Sequence, residues 1–217
     1  MPEAHSLGQP GRGLYAGPAG AIEVVEEHPR QGAARALALI AHPHPLYGGT
    51  LDNKVVYTLG RGLMAAGCAT LRFNFRGVGH SEGTHDEGRG EGEDLLALAQ
   101  ALRVAYPGLP LLLAGFSFGS FVALAGCTAA QASGVLTVAP PLFYAGDAPT
   151  PDPGAPWWLI HGDADEVVDC ADTQRRADAA PRPPSRREIV PGVGHFFHGE
   201  LGRVRDFARA FGEALLG

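Results

Sequence analysis

Lysine is nearly absent: Lys54 is the only one in 217 residues, and arginine supplies the other sixteen of seventeen basic groups. With a formal charge of −6, the chain has no cationic surplus for a phosphate backbone or an anionic bilayer, so neither nucleic acid nor membrane is an expected partner. Long apolar runs are missing too; the longest are of strand length, too short to span a bilayer. Met1 to Arg12 lacks a basic leader followed by an apolar core, so no signal peptide is read there. Cysteine is scarce: Cys68, Cys127 and Cys170 have no metal-like spacing and read as packed thiols in a reduced, cytoplasmic setting. His42 and His44 lack the third and fourth ligands that zinc needs. Gly77 to Gly83 lacks the helical continuation of a dinucleotide loop. The acidic run from Glu82 to Asp94 lacks the regular oxygen spacing of a calcium loop; it reads as solvated surface or as a hold on Arg72 or Arg76. No metal and no cofactor are expected.

What is present is an ordered alternation of apolar segments. Residues 1–13 are expected to be flexible, and 14–217 to form a single domain. A hairpin spans Leu14 to Glu27. Strands are predicted at Ala36–Ala41, Cys68–Phe73, 111–114, Gly134–Ala139, Trp157–His161 and Arg186–Val190. Between and after them, helical periodicity covers Asn53–Ala66, Gly90–Val104, the stretch from Ser117 to about Ala130, Ala171–Ala180 and Glu200–Leu216. Strand and helix alternating through short links predict a three-layer α/β/α sandwich around a mostly parallel sheet. The interval from Ala139 to Trp157 is short and rich in proline and glycine, leaving no room for a lid domain.

One segment carries chemistry. Leu111-Leu-Leu-Ala-Gly-Phe-Ser117-Phe-Gly119 runs an apolar strand into Gly-x-Ser-x-Gly, with helical spacing resuming at Val122. A serine in a strained strand-to-helix turn exposes its hydroxyl, and glycines on either side avoid collision with neighbouring backbone. Such a hydroxyl needs a base, and the base needs an acid to fix its tautomer. Taken in the order serine, acid, histidine, the base is His195 or His198, of which His198 reads as a cap or a solvated side chain. The acid lies after the strand at 157–161, where Asp163, Asp165 and Asp169 compete. Asp163 suits a turn cap, Asp169 a helix N-cap, and Asp165 is modestly favoured because the loop can bend there toward the base.

These motifs, with Ile40 to Val55 and Leu71 to Gly83, resemble the α/β-hydrolase superfamily over nearly the whole chain. The similarity is to a small lidless subgroup related to dienelactone-hydrolase-like and serine-peptidase-like enzymes. The resemblance implies the acid at Asp165, through His-Gly-x-x-Asp, and the base at His195, through Gly-x-x-His. An oxyanion hole would take one backbone N–H from Phe118. The other falls to His44, since Pro43 and Pro45 have none to give and His44 also matches the family's second donor. His42 is expected to lock that loop by hydrogen bonding. Tyr47, Leu142, Phe143, Tyr144 and Phe196, with Phe197, are expected to line a shallow apolar cleft. The expected reaction is hydrolysis of short- to medium-chain carboxylic esters, small molecules, through an acyl-enzyme. The alternatives are aminopeptidase-like or thioesterase chemistry, or a non-catalytic scaffold. A homodimer stays open.

Overall fold

The structure is a computed structural model that describes residues 3–217. Among the described residues, eight strands form one sheet: β1 (Gly11–Gly17), β2 (Gly20–Glu27), β3 (Ala36–Ala41), β4 (Cys68–Phe73), β5 (Leu111–Phe116), β6 (Gly134–Val138), β7 (Trp157–Gly162) and β8 (Arg186–Val190). Their order is β1-β2-β4-β3-β5-β6-β7-β8. The β1–β2 hairpin joins antiparallel to β4, and every pairing from β4 to β8 is parallel.

Strand periodicity divides the core between two faces. Leu37, Leu39, Leu111, Leu113, Val135 and Leu159 face α2 (Arg89–Ala105), α3 (Phe118–Gly126) and α4 (Cys170–Asp178). Their neighbours Ala38, Ile40, Leu112, Ala114, Leu136 and Ile160 face α1 (Lys54–Ala65) and α5 (Leu201–Leu216). Burial on both sides explains why β3 and β5 read as continuous apolar runs rather than alternating ones. The result is a lidless three-layer sandwich. Among the described residues, no helix is long and apolar enough to cross a membrane. The three cysteines are free and buried, and burial pushes the thiols of Cys68 and Cys127 up to about 12 and about 11.

The segment before Leu14 lies against the sheet edge. Residues 11–13 belong to β1, His5 N–H donates to Leu14 O at 2.7 Å, and Leu14 N–H donates to Glu3 O at 2.9 Å. The cause is Glu26, whose buried carboxylate faces His5 Nε2, His28 Nε2, the Tyr106 hydroxyl and the Gly8 N–H. A buried carboxylate gathers donors, and here it draws the leading segment onto the sheet edge. Positions 1 and 2 lie outside the described residues.

Candidate active site

The site sits where β5 passes into α3. Ser117 adopts φ 52°, ψ −125°, a strained conformation for a residue with a Cβ. Its N–H donates to Val138 O at 2.8 Å, and the buried Ser120 hydroxyl, within 3.0 Å of Val138 N and 2.7 Å of Gly115 O, ties the same turn to β6. A Cβ at Gly115 would come within 2.3 Å of Gly119 O, and one at Gly119 within 2.4 Å of His42 O. Backbone crowding on both sides therefore requires glycine at each position. Ser120 was not singled out from the sequence; its only signal is its place three residues after Ser117.

Two loops meet above Ser117. His195 Nε2 lies 3.1 Å from Ser117 Oγ, and His195 Nδ1 lies 2.7 Å from Asp165 Oδ2. An anionic Asp165 accepts, so Nδ1 carries the proton and Nε2 accepts from the serine hydroxyl. Asp165 Oδ1 accepts the N–H groups of Val167 and Val168 at 2.8 and 2.7 Å, while Oδ2 also faces His161 Nε2 at 3.0 Å. The Asp165 side chain has no exposure. Burial pushes its pKa up, but hydrogen bonds from His161, His195 and Val168 outweigh that and hold the carboxyl well below the usual range.

The competing residues have other partners. Asp163 Oδ1 accepts Gly192 N–H at 2.6 Å, Asp169 caps α4 through Asp172 N–H, and His198 is exposed. Gly162 lets the two loops close, since a Cβ there would meet Val193 O at 2.0 Å.

The loop after β3 supplies the opposite wall. His42 is buried; its Nδ1 donates to Pro43 O at 2.6 Å and its Nε2 accepts Phe75 N–H at 3.0 Å. Burial pushes His42 down to about 4, which keeps it neutral with both ring nitrogens engaged. The His44 carbonyl receives Tyr47 and Gly49 N–H, and its ring Nδ1 receives Leu46 N–H. Among the described residues the His44 N–H has no backbone acceptor, and neither has the N–H of Phe118, first residue of α3. Gly49 is held so close that a Cβ would meet Pro43 O at 2.0 Å.

A cleft of about 340 Å³ opens beside Ser117, bounded by His44, Tyr47, Asn53, Val167, His195 and Phe196. Tyr47 and Phe196 border it. Leu142 does not: the turn at Leu142–Ala145 points it into the core, fully buried beneath the sheet face that α2 covers. Phe143 and Tyr144, whose ring centroids are 5.0 Å apart, are not among the residues bounding the cleft, although the Tyr144 ring lies 6.4 Å from that of His44. Phe197 is buried against the α5 side of the core. Asn53 and Val167 were missed, because a cap residue and an acid-loop valine carry no local sign of lining a cleft.

The acidic run divides between capping α2 and holding Arg76. Glu91 accepts Gly88 N–H at 2.8 Å at the start of α2 and faces His85 Nδ1 at 2.7 Å. Arg76 pairs with Asp94 at 2.8 Å and with Glu93, whereas Arg72 turns to Glu27 and the Leu51 carbonyl.

Chemically, the chain Asp165–His195–Ser117 can move a proton from the serine hydroxyl to the imidazole beside two backbone donors. No family model matches the sequence. An uncharacterized protein of Rickettsia prowazekii is 33% identical over 83% of this chain and 78% of its own. Among solved structures, an alpha-beta serine hydrolase homologue from Coxiella burnetii is 37% identical. It matches with a TM-score of 0.88 over 93% of this chain and 96% of that one. A serine hydrolase without lid from Xanthomonas campestris is 34% identical, with a TM-score of 0.86 over 92% of each chain.

Proposed function

Because this chain belongs to the α/β-hydrolase superfamily, in its lidless branch, we propose that it is a serine hydrolase of short- to medium-chain carboxylic esters. The observation that carries the reading is the hydrogen-bonded chain from Asp165 through His195 to Ser117, at 2.7 and 3.1 Å. In this reading His195 Nε2 takes the Ser117 proton as Oγ attacks the substrate carbonyl. The backbone N–H groups of Phe118 and His44 receive the charge that develops on the carbonyl oxygen. Collapse of the tetrahedral species expels the alcohol, which leaves with the proton from His195. Water, deprotonated by His195, then attacks the acyl-enzyme, and the acid departs as Ser117 recovers its proton.

Substrate size follows from the walls. Tyr47 and Val167 are 87% and 57% exposed, so an acyl or alkyl chain meets apolar surface on one side only before reaching solvent. Each methylene buried should gain roughly 0.8 kcal/mol, and the gain ends where the wall does.

The test is a p-nitrophenyl ester series read as kcat/KM, with Ser117→Ala as control. Activity should rise over the first few methylenes, level off, show no jump when substrate forms micelles, and vanish in Ser117→Ala. Undiminished activity in that variant would overturn the mechanism. Faster turnover of aminoacyl amides or thioesters than of esters would overturn the substrate class.

A further inference from the structure

His161 is the penultimate residue of β7 and is fully buried. Its Nε2 faces two acceptors, Asp165 Oδ2 at 3.0 Å and the Val168 carbonyl at 3.1 Å. Both accept, so Nε2 must carry the proton, and Nδ1 is left as a buried acceptor without a partner among the described residues. His42 shows how this fold treats a histidine that only braces backbone: both ring nitrogens are used. His161 instead leaves one nitrogen unmet and spends the other on the carboxylate that holds His195.

We propose that His161 is a positioning residue for Asp165, fixing the carboxylate's rotation and sharing the oxygen that receives the His195 proton. The inference rests on the reading of Ser117, His195 and Asp165 as the catalytic set. Three of the four bonds to Asp165 come from outside the acid–base relay: Val167 and Val168 N–H hold Oδ1, and His161 holds Oδ2 beside His195. Two backbone donors alone would fix one oxygen and leave the other to swing with the His195 loop. By donating to Oδ2, His161 also withdraws charge from it, so Asp165 pulls less strongly on the His195 proton.

The other ionisable groups here are engaged elsewhere. Asp163 receives Gly192 N–H, Asp169 receives Asp172 N–H, and Glu166 receives His195 N–H at 3.3 Å; the Cys170 thiol faces Gln174. None of them donates to Oδ2.

The experiment compares His161→Phe, a ring without a donor, with His161→Gln, whose amide nitrogen can reach the place of Nε2. In His161→Phe, kcat/KM should fall about 10- to 100-fold, as when a group orienting a ligand is removed. The acid limb of its pH profile should move up, because Asp165 without the His161 donor pulls harder on the His195 proton. His161→Gln should recover most of the rate and return the limb. An unmoved limb in His161→Phe, or equal losses in both variants, would overturn the proposal, because a purely packing role predicts those results. Wild-type protein supplies a readout that needs no variant to fold. Imidazole nitrogen spectra should show His161 protonated at Nε2 alone, with that proton shifting when a phosphonate on Ser117 makes His195 imidazolium. An Nδ1-protonated ring or an unmoved proton would refute it. Failure of wild-type Ser117 to take the phosphonate would instead remove the catalytic reading itself.

Discussion

A single methyl group at Gly119 asks how much freedom the strand-to-helix turn has. The Cβ of Gly119→Ala would lie 2.4 Å from His42 O, 2.5 Å from Ala41 O and 2.6 Å from the Ala41 carbonyl carbon. Relief to ordinary contact requires about 1 Å of movement. The obstructing atoms cannot supply it, because Ala41 ends β3, which is paired with β4 on one side and β5 on the other. The first turn of α3 must therefore withdraw, taking Ser117 and the Phe118 N–H away from His195 and His44. A displacement of that size costs about a hundredfold in rate when it separates reacting groups. Crowding of this kind typically costs about 1–3 kcal/mol of stability, and each kcal/mol lowers Tm by about 2–4 °C in a domain of this length. The assay is kcat/KM on p-nitrophenyl butyrate beside a thermal melt. Gly92→Ala, on α2 with nothing within 4 Å of its Cβ, is the control and should match or slightly exceed wild-type stability. Gly119→Ala with wild-type rate and wild-type Tm would refute the argument that backbone crowding dictates glycine here.

Three further outcomes are expected. Asp165→Asn cannot accept at both oxygen positions, the one that receives the Val167 and Val168 N–H groups and the one that receives His161 and His195, so kcat should fall about 10⁴-fold, while Asp163→Asn and Asp169→Asn stay near wild type; a comparable loss in either of those would reassign the acid. His42 titrates near 4 in the fold against an ordinary value of 6.5, so on acidification the unfolded chain takes up its proton first. Stability from neutral His42 is thus full above pH 6.5 and lost down to about 4, roughly 3 kcal/mol in all. Urea unfolding at pH 7.5 and 4.5 checks this: the advantage of wild type over His42→Gln should shrink with acid, and a constant gap would contradict it. Tyr47→Ala should raise KM with kcat little changed, whereas Leu142→Ala should cost about 2–5 kcal/mol of stability and leave KM alone; the reverse pattern would return Leu142 to the cleft.

Much of this protein was written locally. The alternating strands and helices, the missing lid and the turn around Ser117 all follow from interactions between residues close in sequence, where spacing, glycine placement and apolar periodicity act directly. The proline argument at His44 is local as well, since a residue without an N–H can be recognised wherever it lies. Spacing also named His195, and left the acid among Asp163, Asp165 and Asp169 until family resemblance favoured Asp165.

Tertiary structure decided what depends on groups far apart in the chain. Asp165 meets His195 across 30 residues, and the crossing is possible because Gly162 lets the Val193 carbonyl approach to a distance no side chain would allow. The amino-terminal segment is held by Glu26 with Tyr106, a residue 80 positions further on. Leu142 and Phe197 read as apolar residues near the site, yet which of several neighbouring rings and aliphatic chains turn inward depends on the core volume waiting beneath each turn. His161 looked like the end of a strand; its role as a donor exists only once the acid loop folds back over it. Sequence sets each residue's chemistry and its local conformation, but a shared carboxylate oxygen is a meeting of one strand and two loops, and only their packing brings the donors within reach.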